Sequence, residues 1–145
     1  MEIAKHCMDK ELPESEFRKF VVKGVPLLLK RFVQEPAGHI TLEDFLPGTT
    51  FEWTFWHDEV HVVVKGKAEV EFYQPPLFQE KGTAIMEEGD AYLLHRGEMV
   101  VFKVLSEEPY RHLCVIMPAV PLAGNEQLIR ETYYAYTGRE LPKKK

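Results

Sequence analysis

The chain has 145 residues and a mass of 16.9 kDa, which is the size of one ordinary domain and enough to bury a core. Hydrophobic residues make up 45% of the sequence and charged residues 28%, which excludes a disordered or fibrous protein and indicates a globular one. The formal net charge of −5 disfavours a nucleic-acid-binding module, and no apolar stretch approaches the roughly 20 residues that span a bilayer, so we expect neither a nucleic-acid nor a membrane partner.

Residues 1–24 are predicted to form a polar N-terminal lead-in. Pro13 stands where a helix can begin, and Glu14 and Glu16 follow in its first turn. Residues 8–20 are therefore predicted to be partly helical.

The N-terminal sequence and the cysteines indicate the compartment. The N-terminus lacks the apolar core of a secretion signal. Cys7 and Cys114 lie far apart in the sequence and form neither a CxxC motif nor a disulfide framework. We therefore expect a reduced, cytoplasmic protein.

Residues 25–120 are predicted to form an all-β barrel. Short apolar stretches alternate with turns about every 8 to 12 residues, a pattern typical of sandwiches and barrels. Breaking residues fall between the stretches, as at Pro47-Gly48, Gly66 and Gly97. The predicted strands are 26–33, 39–46, 49–56, 59–65, 67–74, 83–86, 91–95, 98–105 and 111–118.

Two of these strands show how their faces are used. In the strand around residues 68–73, Ala68, Val70 and Phe72 alternate with polar or amphipathic residues, which predicts one dry face. In Val60–Val64 both faces are apolar apart from His61, so we expect that strand to be central and covered on both sides.

Residues 121–145 are predicted to form a C-terminal helix and a basic tail. Asn125 can cap a helix that Gly138 closes. The basic run Lys143–Lys145 is explained by a solvated tail without a partner.

The segment 57–61 carries the most informative chemistry. Side chains alternate along a strand, so His57, Glu59 and His61 share one face at steps of about 7 Å. Two imidazoles and a carboxylate that face a pocket suit iron, zinc or nickel. A carboxyl group in a barrel interior also needs a partner, which favours a functional role for Glu59.

Three ligands on one extended strand lie too far apart to hold an ion by themselves, so Tyr92 or His95 must contribute. The candidate metal ligands are His57, Glu59, Tyr92 and His95, and the candidate catalytic residues are Glu59, Tyr92 and His61. Structural alternatives stay open: His57 can bond a turn, His61 can be a satisfied interior histidine, Tyr92 can fill space beside Glu59, and His95 can be exposed in a turn.

Aromatic side chains are predicted to line the pocket. The candidates are Trp53, Phe55, Phe72 and Phe102, which suit a small, largely apolar or ring-shaped ligand with one polar group, although they can equally be core. Cys114 shares strand parity with His112 and Ile116, which indicates a buried small hydrophobic side chain. No functional signal attaches to His6, His39 or His112.

The segment from Gly48 to Gly66 resembles the first motif of the cupin superfamily, in which a glutamate precedes a glycine turn by seven residues. Glu59 and Gly66 have that spacing, while Trp53 and Phe55 stand where the family has its His-x-His pair. The segment 89–97, Gly-Asp-Ala-Tyr-Leu-Leu-His-Arg-Gly, resembles the second motif. The resemblance implies a double-stranded β-helix, the cupin or RmlC-like jelly roll, and a homodimer.

Within the cupins the chain resembles the ectoine synthase family, which closes a ring by losing water from an acetylated diamino acid. The matching segments are Leu27-Leu28-Leu29, Gly48-Thr49, His57-x-Glu59, Gly89-x-x-Tyr92, Cys114–Pro118 and Pro121–Glu126. The iron ligands of that family fall on Glu59, Tyr92 and Val100, and a substrate-contacting tyrosine of the family aligns with Thr54. Cupins also line their pockets from the strand that here carries Cys114.

These features together predict a small cupin enzyme with one divalent metal ion, iron or zinc, and no nucleotide cofactor. It would act on a small organic substrate by the acid–base chemistry of a lyase or dehydrating cyclase. The alternatives are an iron-dependent dioxygenase, a metal-free proton-transfer enzyme that uses Glu59 and His61, and a degenerate cupin that only binds a small ligand. Val100 and the absent His-x-His pair favour the last of these.

Overall fold

Two antiparallel β-sheets build the described part of the protein. A computed structural model describes residues 1–35, 38–74, 77–117, 130, 134 and 138–140. The strands are β1 (Arg18–Val22), β2 (Val25–Glu35), β3 (Gly38–Phe45), β4 (Thr50–Thr54), β5 (Glu59–Lys65), β6 (Lys67–Gln74), β7 (Gln79–Glu87), β8 (Ala91–Leu94), β9 (Met99–Val104) and β10 (Tyr110–Ile116). One sheet has the order β1-β2-β3-β10-β5-β8 and the other the order β4-β9-β6-β7.

The core lies between the two sheets, where alternate residues point inward. Ala68 and Val70 on β6 are fully buried, as the alternation in the sequence predicts. Phe45 of the six-stranded sheet packs on Phe51 and Phe102 of the four-stranded sheet, with both pairs of ring centroids 5.1 Å apart. Such pairs contribute about 0.5–1.5 kcal/mol beyond the burial of their area, so they hold the sheets together.

The nine predicted strands all form, and the all-β jelly roll is confirmed. Strands β5 and β6 begin and end at the predicted residues. The largest difference is β7, predicted over 83–86 and observed over Gln79–Glu87. It is longer because it pairs along the whole length of β6, from Lys67 opposite Glu87 to Gln74 opposite Gln79.

The N-terminal residues differ from the sequence prediction. Their helix is confined to a single 3-10 turn, Glu14–Glu16, and residues 18–22, assigned to the lead-in, form β1. The sheet therefore begins at Arg18 and not at residue 25. Phe20 and Val22 pack against the core from β1, and burying them outweighs the helix-forming tendency of a short polar segment.

The predicted C-terminal helix lies mostly outside the described residues. Within the described part, Arg130 and Tyr134 are helical, and the Gly138 amide donates to the Tyr134 carbonyl oxygen at 2.8 Å. Gly138 has φ +63°, the left-handed conformation of a residue that closes a helix. No helix within the described ranges is long and apolar enough to cross a membrane.

A buried arginine joins the N-terminal segment to the outer face of the six-stranded sheet. Arg111 on β10 donates from Nε and Nη2 to the two carboxylate oxygens of Asp44 at 2.8 and 2.9 Å. Its other donors reach the backbone carbonyl oxygens of Asp9, Lys10 and Leu12 at 2.9–3.0 Å. Its guanidinium also lies 4.7 Å from the ring centroid of Phe17. The five N–H groups of Arg111 are thus all used.

Gly66 in the turn between β5 and β6 is expected to resist substitution. It has φ +81°, and a Cβ there would lie 2.4 Å from the Pro109 carbonyl oxygen, a contact with backbone that side-chain motion does not relieve. Gly66→Ala should therefore lower the free energy of unfolding by about 3 kcal/mol. Gly48→Ala is the matched control, because Gly48 has φ +76° and open space around it, and it should cost only about 1 kcal/mol. Equal losses in urea denaturation would contradict the steric argument.

Candidate functional site

Polar side chains cluster on the inner face of the six-stranded sheet. Cys114 on β10 lies opposite Thr41 on β3 and opposite His61 on β5, and His61 lies opposite Tyr92 on β8. Partners directly opposite in a sheet point to the same face, so one row crosses four strands. His61 and Cys114 are 1% and 0% exposed, so the row lies inside the barrel.

Four of the inward groups form one chain of hydrogen bonds. His61 Nε2 lies 2.9 Å from Glu59 Oε2, and His61 Nδ1 lies 3.2 Å from the Tyr92 hydroxyl. The Tyr92 hydroxyl is 2.8 Å from the Tyr110 hydroxyl. With Glu59 ionised, which can then only accept, Nε2 carries the proton, Nδ1 accepts from Tyr92, and Tyr92 accepts from Tyr110. In that state the chain runs in one direction, from Tyr110 to Glu59.

A second imidazole and carboxyl group lie beside this chain. The centroid of the His112 ring is 4.7 Å from that of His61, and His112 Nε2 lies 3.3 Å from Glu43 Oε1. Both His112 nitrogens are buried and form no hydrogen bond with the described residues. The interior thus holds two histidine–carboxyl pairs side by side.

Burial sets the protonation of these groups. It lowers the pKa of His61 well below its usual value, and the charge of His112 lowers it further, so His61 is neutral at physiological pH. Burial raises the pKa of Tyr92, with Tyr110 adding to the effect, and burial raises that of Tyr110 as well. Burial also raises the pKa of the Cys114 thiol, helped by Glu43 and Glu59. His61, Tyr92, Tyr110 and Cys114 are therefore neutral at physiological pH.

Three of the inward side chains could hold a metal ion. One donor atom from each of His61, His112 and Cys114 lies within 4.8 Å of the other two, and all three residues are buried. Imidazole nitrogens and a thiol that can lose its proton are the donors that transition metals take. His112 Nδ1 is buried and has no hydrogen bond among the described residues, and an ion would satisfy it, so these residues fit a metal.

The structure brings together only part of the metal-ligand set predicted from the sequence. His57 Nε2 lies 4.0 Å from Glu59 Oε1, and Tyr92 joins them through His61. His95 lies exposed in the turn after β8, outside this group. The exposed position of His95 agrees with the alternative that this residue lies in a turn, because strand β8 ends at Leu94.

The predicted pocket walls lie on or next to the four-stranded sheet, apart from Cys114 on β10. Trp53 on β4, Phe55 just after β4 and Phe102 on β9 are buried, with Phe55 5.9 Å and Phe102 6.0 Å from His61 between ring centroids. Phe72 is partly buried against the same core. Thr54 alternates with the two inward aromatics beside it, so it belongs to the opposite face of β4.

Three residues of the cluster are not among the candidates predicted from the sequence. Glu43 on β3 and Tyr110 on β10 belong to no motif, and His112 shows no functional signal in the sequence. The feature that could have found His112 is its strand parity with Cys114, two residues on. Glu43 follows from the pairing of β3 with β10, where it lies opposite His112.

His57 should make stability depend on pH. Burial first, and the nearby His39 second, lower its pKa to about 4. The unfolded chain, with a pKa near 6.5, then binds a proton that the folded protein does not, so this stability is full above pH 6.5 and is lost as the pH falls toward 4. Between about pH 7.5 and pH 5 the wild type should lose about 2 kcal/mol more than His57→Gln, as urea denaturation measures. Equal losses in the two proteins would reject this assignment.

The fold is similar to solved structures of cupins. KdgF from Halomonas sp. has a TM-score of 0.57 and 18% identity, covering 74% of this chain and 92% of that chain. A putative ethanolamine utilization protein Q from Salmonella typhimurium has a TM-score of 0.56 and 21% identity, covering 83% and 94%. A cupin superfamily protein from Desulfitobacterium hafniense has a TM-score of 0.52 and 14% identity, covering 63% and 77%.

No protein-family model and no curated protein matches the sequence. At the identities of the solved structures the likeness shows the fold alone: the chain has the cupin fold. The ectoine-synthase subtype stays a prediction.

Proposed function

We propose that this chain of cupin fold is a small metal-dependent enzyme that acts on a small organic substrate by acid–base chemistry, as a lyase or dehydrating cyclase. The observation that carries the proposal is the buried chain from Tyr110 through Tyr92 and His61 to Glu59, which has a hydroxyl donor at one end and a carboxyl base at the other. Chains of this kind serve proton transfer because each member is held at hydrogen-bond distance from the next.

Loss of water requires one acid and one base. The Tyr92 hydroxyl would donate its proton to the leaving hydroxyl, which departs as water, and Glu59 would take the proton that the substrate loses. Loss of that proton from Glu59 to solvent and uptake of one by Tyr92 would then restore the starting state. A bound metal ion, which the sequence predicts to be iron or zinc, would polarise a carbonyl or the leaving hydroxyl.

Proton exchange with solvent tests the proposal on a panel of candidate substrates. The protein would be incubated in D2O, with and without added Fe²⁺ or Zn²⁺, together with small hydroxy acids and N-acylated amino acids. Proton NMR then follows deuterium entry or loss of water. We expect at least one compound to react with the wild type and not with Glu59→Gln. Binding without any exchange across the panel would instead support a protein that only binds a small ligand.

That non-catalytic alternative is supported by the apolar residues at the cupin motif positions. Trp53, Phe55 and Val100 are all buried there, at 3%, 2% and 0% exposure.

The dioxygenase alternative is tested in the same samples by oxygen consumption with Fe²⁺. The homodimer expected from the resemblance stays a prediction, which light scattering in solution would test.

A further inference from the structure

We propose that His61, His112 and Cys114 form a transition-metal site that suits zinc best and that is displaced from the positions where the cupin motifs place their ligands. Two of its three residues, His61 and Cys114, lie on neighbouring strands directly opposite each other. The part that the ion plays in turnover rests on the proposed function, whereas its binding can be measured without any turnover.

The geometry is close to that of a bound site. Donor atoms of the three side chains lie within 4.8 Å of one another. A tetrahedral zinc ion, with bonds of about 2.0 Å to nitrogen and 2.3 Å to sulfur, holds such donors roughly 3.3–3.5 Å apart. The donor atoms therefore need to move together by at most about 1.5 Å, which changes in side-chain torsion angles can supply.

His112 gives an independent reason to expect an ion. Its side chain is fully buried, yet neither ring nitrogen has a hydrogen bond among the described residues. A buried polar group without a partner lowers stability, and most such groups in proteins are satisfied. An ion bound at Nδ1 would satisfy the ring, while Nε2 faces Glu43 at 3.3 Å.

Each imidazole then has a carboxyl group on the side away from the ion. Glu59 accepts from His61 Nε2 at 2.9 Å, the shorter of the two His61 hydrogen bonds, so we place the ion at Nδ1, where it displaces the Tyr92 hydroxyl. Glu43 has the same position beside His112. A carboxyl group behind a ligating histidine fixes its ring and strengthens the bond to the metal.

The charges also agree with this donor set. A divalent ion and the Cys114 thiolate, formed when the thiol gives its proton to solvent, leave one net positive charge inside the barrel. Glu43 and Glu59 are buried within the same cluster and can offset that charge. A thiolate together with imidazoles selects zinc or cobalt over magnesium and calcium.

The residues at the cupin motif positions could not bind the ion instead of His61, His112 and Cys114. Trp53 on β4, Phe55 just after β4 and Val100 on β9 offer no metal donor, because the indole N–H of Trp53 binds no metal. The donors of the proposed site all lie on the six-stranded sheet instead.

Cobalt provides the direct test. Metal-free protein titrated with Co²⁺ should bind one equivalent and develop the near-ultraviolet absorption of a sulfur-to-cobalt bond, and Zn²⁺ should abolish it. Cys114→Ser should lose the band, whereas Cys7→Ser, which removes the other thiol, should keep it. His112→Ala should weaken binding at least about 100-fold and Glu59→Gln about 10- to 100-fold. Tyr92→Phe should bind as tightly as the wild type or more tightly.

Far-ultraviolet circular dichroism of the metal-free variants establishes that they fold, and Cys114→Ala provides a second thiol-free protein if Cys114→Ser does not. The proposal is overturned if Co²⁺ does not bind, if Cys114→Ser keeps the band, or if His57→Ala or His95→Ala weakens binding as much as His112→Ala does. Binding with the expected variants but no proton exchange would reject the proposed enzyme and keep the site. Exchange by protein that binds no metal would reject the site and the metal dependence, and would keep the acid–base part of the proposed function.

Discussion

Arg111→Ala is expected to lower the free energy of unfolding by about 3–5 kcal/mol, the cost of breaking a buried ion pair by removing one partner. The substitution leaves the Asp44 carboxylate 1% exposed and unpaired, and it takes the donors from three carbonyl oxygens of the N-terminal segment. Urea denaturation measures the loss. Hydrogen exchange should show faster exchange of the amides of residues 9–17, which Arg111 holds to the sheet.

Arg18→Ala is the matched control for this experiment. Arg18 is exposed and contacts the Phe20 ring at 5.0 Å, so its removal should cost less than about 1 kcal/mol. Replacing both members of the pair, in Asp44→Leu/Arg111→Leu, should recover part of the loss because no buried charge is then left alone. A double variant no more stable than Arg111→Ala would contradict the ion-pair explanation.

Tyr92→Phe is expected to lower turnover about 10²- to 10⁴-fold in the exchange assay that first detects activity. The substitution keeps the ring and removes the hydroxyl that would donate the proton to the leaving group and that bonds Tyr110. Tyr110→Phe leaves the link between Tyr92 and His61 in place and should cost no more than about tenfold. Tyr92→Phe should therefore lower turnover more than Tyr110→Phe does.

Tyr73→Phe serves as the control, because its hydroxyl bonds Glu71 at 2.8 Å on β6, apart from the chain through His61. It should leave turnover unchanged. A loss for Tyr110→Phe equal to that for Tyr92→Phe would mean that the two hydroxyls act as one unit. Unchanged turnover in Tyr92→Phe would remove Tyr92 as the acid.

The hydrogen-bonded chain and the proposed metal site share His61, so they compete for its Nδ1 atom. Nδ1 of one imidazole cannot accept from Tyr92 and bind an ion at the same time. With metal bound, the Tyr92 hydroxyl would keep its bond to Tyr110 and would be released from His61, so that it could donate to a substrate. Metal loading should therefore change the activity of Tyr92→Phe less than that of the wild type.

The sequence by itself determined where the strands lie. The alternation of inward and outward residues in β5 and β6 is a local feature, and so is the glycine at position 66. A strand that buries one face must show this alternation within a few residues. The same alternation placed Glu59 and His61 on one inward face, because neighbours two apart in a strand share a side. The resemblance to cupins rested on these local spacings as well.

Only the tertiary structure decided which polar groups meet. Glu43, His61, Tyr92 and His112 lie on four strands, and their contacts depend on the register of β3 on β10, β10 on β5 and β5 on β8. A shift of one residue in any of these registers would turn a whole strand over, and no single strand contains that information. The sequence did not predict β1 for the same reason. The polar segment before Val25 forms a strand because it pairs with β2 and because Phe20 packs against the core.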